Sequence, residues 1–232
     1  MTAFSNLMDY QYQTEALAKI ATRLGWDQET VMPKGALQDR AEESAALEKA
    51  LHDRRSSSEL EDLLATAQSQ PLTALEKRQV SLIERALLRT RRVPVELSVA
   101  LARITPKSHQ IWAKARAEDD FMAFAPILSE VIQLRRQEGE ALAQGSAVVA
   151  YEALLKDYEP DGELAALMDM FDQLRSPLVE LRSAVLDCPQ PKALQGHFDP
   201  KQQMLIAHEL AECFGYDFSR GRIDKAVHPF SS

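Results

Sequence analysis

The sequence predicts an all-α protein, an irregular multi-helix array of about eight to ten helices, each near the usual three turns. Three observations carry that prediction. Glycine is scarce, at 8 of 232 residues, while Ala, Leu, Glu, Arg and Gln recur throughout; these side chains lose little freedom on entering a helix. Apolar residues return every three or four positions rather than in alternation, which is the helical period. Caps and helix-stopping residues punctuate the chain at matching intervals.

The first helix is expected from Phe4 to Leu24, with Leu7, Met8, Leu17, Ile20, Ala21 and Leu24 on one face. "GWDQETVMPKG" (25–35) then reads as a break, because Gly25, Pro33 and Gly35 all disfavour continuation. Within it, Trp26 reads as a core anchor and Asp27 as a cap for the next segment. A second helix is expected from Ala36 to Leu51.

Ser58 with Glu61, and Thr73 with Glu76, each fit a capping box, in which a hydroxyl accepts from an orphan backbone N–H and the Glu reaches back. Pro94 and Pro106 suit the first turns of further helices, where a missing N–H costs nothing. Asp119 and Asp120 are adjacent, so they do not face one site, and they read as solvated or capping. "FAPILSEVIQLRRQEGEAL" (124–142) is amphipathic and ends near Gly145.

Tyr158, Glu159 and Pro160 read as a turn that fixes two helices. From Glu163 to Leu186 a long pattern carries Leu164, Leu167, Met168, Phe171, Leu174, Leu178, Leu181 and Val185, with a kink or break expected at Pro177. "DCPQPKALQGHFDP" (187–200) is the clearest loop. No repeat and no shift of composition divides the chain, so residues 1–232 read as a single helical domain.

Charge narrows the function. The formal net charge is −8, with 45% apolar and 27% charged residues, whereas a nucleic-acid binder needs a basic field for phosphate contacts. The run of Arg89, Arg91 and Arg92 lies among Glu76, Glu84 and Glu96 and reads as a solvated helix end. The two cysteines, Cys188 and Cys213, have neither C-x-x-C spacing nor a second cluster, so reduced thiols are expected. The N-terminus lacks the basic start and apolar run of a signal peptide. No apolar stretch approaches the roughly 18 residues that span a bilayer. The expectation is a soluble, cytoplasmic protein with no nucleic-acid or membrane partner.

"IAHELAECFG" (206–215) opens as the zinc motif H-E-x-x-H does, but Glu212 stands where the second histidine belongs. Zinc in that motif needs two imidazoles one turn apart, with the Glu between them activating water. Structure alone accounts for the stretch. Asp199 and Pro200 start a helix, Ile206, Leu210 and Phe214 share a face, and Gly215 is placed to end it. His208 and Glu212 then form at most an i, i+4 pair. No catalytic and no metal-ligating residue is assigned in this chain.

Four phrases, in order, resemble one family. "LGWDQETVMPKGALQDRAEESAALEKALHDR" (24–54) resembles the Trp-Asp-x-x-x-x-Met-Pro segment and following helix of the Taq-type (thermostable) metallocarboxypeptidases. "IWAKARAEDDFMAFAPILSEVIQLRR" (111–136) is similar to that family's W-x-x-A-R-x-x-x-D-F-x-x-F-x-P-x-L helix. "YEALLKDYEPDGELAAL" (151–167) resembles its Tyr-Glu-Pro turn, and "FGYDFSRGRIDKAVHPFSS" (214–232) its G-[FY]-D-F-x-x-G-R-x-D-x-x-x-H-P-F stretch.

That resemblance implies a groove-forming, nearly all-helical metallopeptidase fold, usually homodimeric, that removes single residues from peptide C-termini with broad specificity. It implies zinc or cobalt, held by a H-E-x-x-H helix and a later Glu, with the motif Glu as general base. Both that helix and a D-x-R-x-T substrate stretch follow the H-P-F segment in the family, and these 232 residues contain neither. The chain is therefore expected to be the N-terminal part of such an enzyme, truncated and inactive alone, binding no metal itself. Because the family's H-P-F segment borders the groove, the resemblance implies a substrate-binding role for His228 and Phe230. The alternative reading is a stand-alone, non-catalytic helical interaction module.

Overall fold

The structure, a computed structural model, describes residues 2–228; Phe230 lies outside the described residues. Nine α-helices occur among them: α1 (Ala3–Thr30), α2 (Leu37–Arg55), α3 (Ser58–Gln68), α4 (Ala74–Arg92), α5 (Val95–Glu118), α6 (Phe121–Ala143), α7 (Ala150–Leu155), α8 (Leu164–Leu186) and α9 (Pro200–Cys213). A single 3-10 turn, Lys34–Ala36, leads into α2, and no strand occurs among the described residues. None of these helices is long and apolar enough to cross a membrane.

The chain divides into two compact units, Met1–Asp161 with Ala226–Ser232, and Gly162–Lys225. In the first unit, Leu7 and Tyr10 of α1 pack against Leu60, Leu64 and Ala67 of α3 and Val80 and Leu87 of α4. Each buried leucine there contributes about 2 kcal/mol of transfer free energy. The Tyr10 hydroxyl is satisfied inside this core: it donates to the Arg54 carbonyl at 2.9 Å and lies 2.8 Å from Ser57 Oγ. The Arg54 guanidinium covers the ring at 4.2 Å from its centroid. A second, smaller core joins Val93, Leu142 and Ala153. Helices α2, α5, α6 and α7 pack in succession.

Several boundaries follow the sequence. Thr73 and Glu76 form the capping box at α4. Asp199 caps α9 by accepting from Lys201 N at 2.9 Å, and Pro200 opens it. At its far end Tyr216 N donates to the Ala211 carbonyl and Gly215 N to the Glu212 carbonyl, with Gly215 at φ 85°. That left-handed cap is the one a glycine allows without steric cost. Asp119 takes the left-handed position ending α5, at φ 53°, and Asp120 caps α6 by accepting from Ala123 N at 3.0 Å.

Other boundaries differ. Gly25 does not break α1, which runs to Thr30; one internal glycine costs only about 1 kcal/mol, and tertiary contacts outweigh it. Asp27 therefore lies inside α1, where it binds Arg40 of α2. Pro106 lies inside α5 rather than at a start, buried with Leu101 and Ile104. Ser57, not Ser58, caps α3, accepting from Leu60 N at 3.1 Å, while Glu61 turns instead to Arg91 at 2.7 Å. Nor is the arginine run merely solvated: Arg89 binds Asp157, and Arg92 donates to the Leu142 carbonyl at 3.0 Å. These side chains tie α4 to the α6–α7 region.

In the second unit α8 passes through Pro177 as one helix, and no residue of α8 or α9 is buried.

Candidate functional site

His228 stands at one wall of an open cavity of about 440 Å³, with Glu29, His109 and Trp112 as the other lining residues. All four belong to the first unit. Glu29 comes from the last turn of α1, which exists only because that helix continues past Gly25. His109, Trp112 and Arg116 are spaced three and four apart on α5, so they share one face.

The geometry is a chain of contacts. Glu29 Oε2 lies 2.9 Å from His109 Nε2, and both side chains are largely shielded, at 17% and 29% exposure. The His109 ring tilts against Trp112 with centroids 5.2 Å apart. His228 meets the same indole edge-on at 6.1 Å and 67°. Arg116 sits over the indole at 5.7 Å, near enough for a cation–π contact. A carboxylate fixes the direction of one imidazole, as it does in many sites that use histidine to bind or move a proton. The indole supplies a flat apolar face beside the two rings.

A neighbouring cavity of about 430 Å³ lies between α1, α2 and α5 and shares Glu29 with the first. Trp26 lines it half-buried, not as a member of either core cluster. Glu48 lines the same cavity, and burial pushes its carboxyl above the usual glutamate range, with Glu138 adding to the shift and Arg55 and His52 opposing it.

His208 is placed otherwise. Its ring stacks on Phe218 at 4.5 Å and 18°, and Tyr216 meets Phe218 edge-on at 4.9 Å. Glu209 and Glu212 lie on the same α9, yet among the described residues no three His, Cys, Asp or Glu side chains converge on a metal-sized space. These donors do not fit zinc or cobalt, which require three protein ligands at least. Tyr158 is exposed, and its turn is closed by bonds from Tyr158 N and Glu159 N to the Leu155 carbonyl.

Sequence reasoning singled out His228 but missed its company. The signal was present in part: His109, Trp112 and Arg116 share a helix face within the phrase that resembles the family's W-x-x-A-R helix. Nothing local in the sequence points from that face to Glu29.

Comparison with known proteins agrees with the resemblance. The family described as carboxypeptidase Taq (M32) metallopeptidase matches residues 6–232. Thermostable carboxypeptidase 1 of Thermus thermophilus is 32% identical over 98% of this chain, which spans 48% of that protein. The BsuCP crystal structure shares the fold with a TM-score of 0.91 over 99% of this chain and 47% of its own, at 23% identity. A Pyrococcus furiosus carboxypeptidase structure matches at a TM-score of 0.80 and 25% identity, again over 99% and 47%. The chain thus spans about half the length of the curated relatives it matches. On these matches and on the motifs they cover, the chain belongs to the carboxypeptidase Taq (M32) metallopeptidase family.

Proposed function

We propose that this chain builds one wall of the peptide groove of a metal-dependent carboxypeptidase that removes single C-terminal residues with broad specificity. The observation that supports this reading is the convergence of His228 with the Glu29–His109–Trp112 group on one open cavity. An oriented imidazole suits a peptide carbonyl or carboxylate, and the indole face suits an apolar side chain next to it. His228, with Phe230 beside it in sequence, is the substrate-contacting position in this reading.

Metal and general base are outside this chain's own donor set, so the 232 residues by themselves are inactive. A zinc or cobalt ion supplied in the complete enzyme would polarise the scissile carbonyl and lower the pKa of bound water. The residues described here hold and orient the peptide instead. Pairing of two copies and a cytoplasmic location belong to the same reading.

Reading the gene on from the codon for Ser232 tests it. A downstream H-E-x-x-H supports the carboxypeptidase, and a stop codon there supports the stand-alone interaction module. Release of C-terminal amino acids by the purified 232-residue chain, lost on His208→Ala, would sink the proposal.

A further inference from the structure

The cavity of about 430 Å³ between α1, α2 and α5 holds a charge that the peptide reading does not use. Its lining is set by packing inside the first unit, where α1 and α5 each pack on α2. Leu24, Leu47, Leu51, Ala102 and Pro106 make the wall largely apolar, and Trp26 adds an indole. Two carboxylates, Glu29 and Glu48, stand in that wall, and no Lys, Arg or His lines it. Glu29 is engaged by His109 at 2.9 Å, whereas no side-chain hydrogen bond or ion pair reaches Glu48 among the described residues. Burial has the largest influence on the Glu48 carboxyl and pushes its pKa up. Glu138 of α6, itself paired with Arg135 at 2.7 Å, adds to that shift, and Arg55 and His52 of α2 oppose it from outside the lining.

A second acceptor comes from the backbone. Pro106 lies inside α5 and has no N–H, so the carbonyl of Ala102, four residues back, lacks its helical donor. Ala102 and Pro106 both line this cavity, and Ala102 and Glu48 together also line the adjoining cavity of about 230 Å³, so the freed carbonyl and the carboxylate are neighbours. Both are acceptors, and a protonated amine brings three donors together with the missing positive charge. The indole face attracts the same charge. A neutral guest would leave the half-buried carboxylate uncompensated. A metal ion finds too few ligands, since no three His, Cys, Asp or Glu side chains converge among the described residues. The volume falls in the range of small-molecule sites.

We propose that this cavity binds a small organic cation, a protonated primary amine on an apolar stem, with the ammonium held by the Glu48 carboxylate and the Ala102 carbonyl and the stem lying along Leu47, Leu51 and Trp26. The inference rests on this cavity alone and does not depend on the carboxypeptidase reading.

Heteronuclear NMR on the full 232-residue chain tests it, with benzylamine, protonated at neutral pH, against benzyl alcohol, a neutral probe of nearly the same shape. Benzylammonium is expected to move the Trp26 indole N–H and the Leu47 and Leu51 amides, and to bind roughly tenfold more tightly than the alcohol. Glu48→Gln keeps the shape of the wall and removes its charge. It should cut benzylammonium affinity roughly tenfold and leave benzyl alcohol where it was. Pro106→Ala returns an N–H to the Ala102 carbonyl and should weaken benzylammonium roughly threefold, with circular dichroism unchanged. Equal affinity for the two probes, or a Trp26 indole signal that benzylammonium does not move, overturns the proposal. So does full benzylammonium affinity in Glu48→Gln. The same shifts on adding zinc or calcium alone overturn it as well, because the occupant would then be a metal ion.

Discussion

Arg40 of α2 reaches back to α1 and holds Asp27 through Nη2 to Oδ2 at 2.5 Å, while its Nη1 donates to the Leu24 carbonyl. The guanidinium is only 10% exposed and Asp27 35%. This clasp sits beside Gly25, where the helix would otherwise have a reason to end, and it carries α1 onward to Glu29. The Asp27 and Glu43 hydrogen bonds hold the Arg40 pKa above its usual value against the opposing effect of burial.

Arg40→Ala is therefore expected to cost about 2–3 kcal/mol of stability, below the 3–5 typical of a fully buried pair because Asp27 keeps access to water. Arg40→Lys should recover less than half, since one ammonium does not reach Asp27 and the Leu24 carbonyl in a fork. Urea unfolding followed by circular dichroism checks both. The same variants should lose the Glu29–His109 contact, visible as altered Trp112 fluorescence.

The His228–Trp112–His109 group gives a kinetic prediction within the carboxypeptidase reading. In a polypeptide that carries these residues together with a metal centre, Trp112→Leu and His228→Ala are each expected to raise KM by roughly tenfold with kcat changed less than about threefold. Metal content, measured by elemental analysis, should be unchanged in both. A loss of bound metal on His228→Ala would show that this residue serves the metal and not the peptide.

The elements legible in the sequence are those fixed by local chemistry. Thr73 with Glu76, Asp199 with Pro200 and Gly215 each act within one turn of their own helix, so their pattern names their structure. Gly25 and Pro106 misled because their cost is local while their compensation is not: Arg40 secures the first, and burial within α5 the second. Ser57 displaced Ser58 as cap because Glu61 found Arg91, far along the chain. Of the site, His228 was readable through the family's phrase, and Glu29 was not, because it reaches His109 only through the packing of α1 and α5 against α2.

Glu48 carries a pH prediction. Its folded pKa is raised, so between the ordinary glutamate value of about 4.3 and the raised folded value the native state binds more protons than the unfolded state. Stability from this group is complete below the ordinary value and is lost as pH rises through the folded one. Across α6, Glu138 faces it and is itself paired with Arg135 at 2.7 Å, while His52 and Arg55 act from its own helix. Glu48→Gln is therefore expected to raise the urea midpoint at pH 7 relative to the parent chain, with the advantage shrinking toward pH 4. An advantage that is equal at both pH values would mean that Glu48 is not held against its charge.

Two glycine substitutions are expected to act in opposite directions. Gly25 sits inside α1, and a Cβ added there meets nothing within 4 Å. Gly25→Ala should stabilise the chain by about 0.5–1 kcal/mol, because alanine surrenders less backbone freedom in a helix interior. Gly139 is also helical, in α6, but its added Cβ would lie 2.9 Å from the Ala150 carbonyl oxygen and 3.1 Å from Ala150 Cβ. That oxygen belongs to the backbone of α7 and does not swing aside, so Gly139→Ala should cost about 1–3 kcal/mol by forcing α7 away from α6. Thermal unfolding of the two variants side by side checks this. If Gly139→Ala were as stable as Gly25→Ala, the close approach of α6 and α7 would not be what the glycine is there to permit.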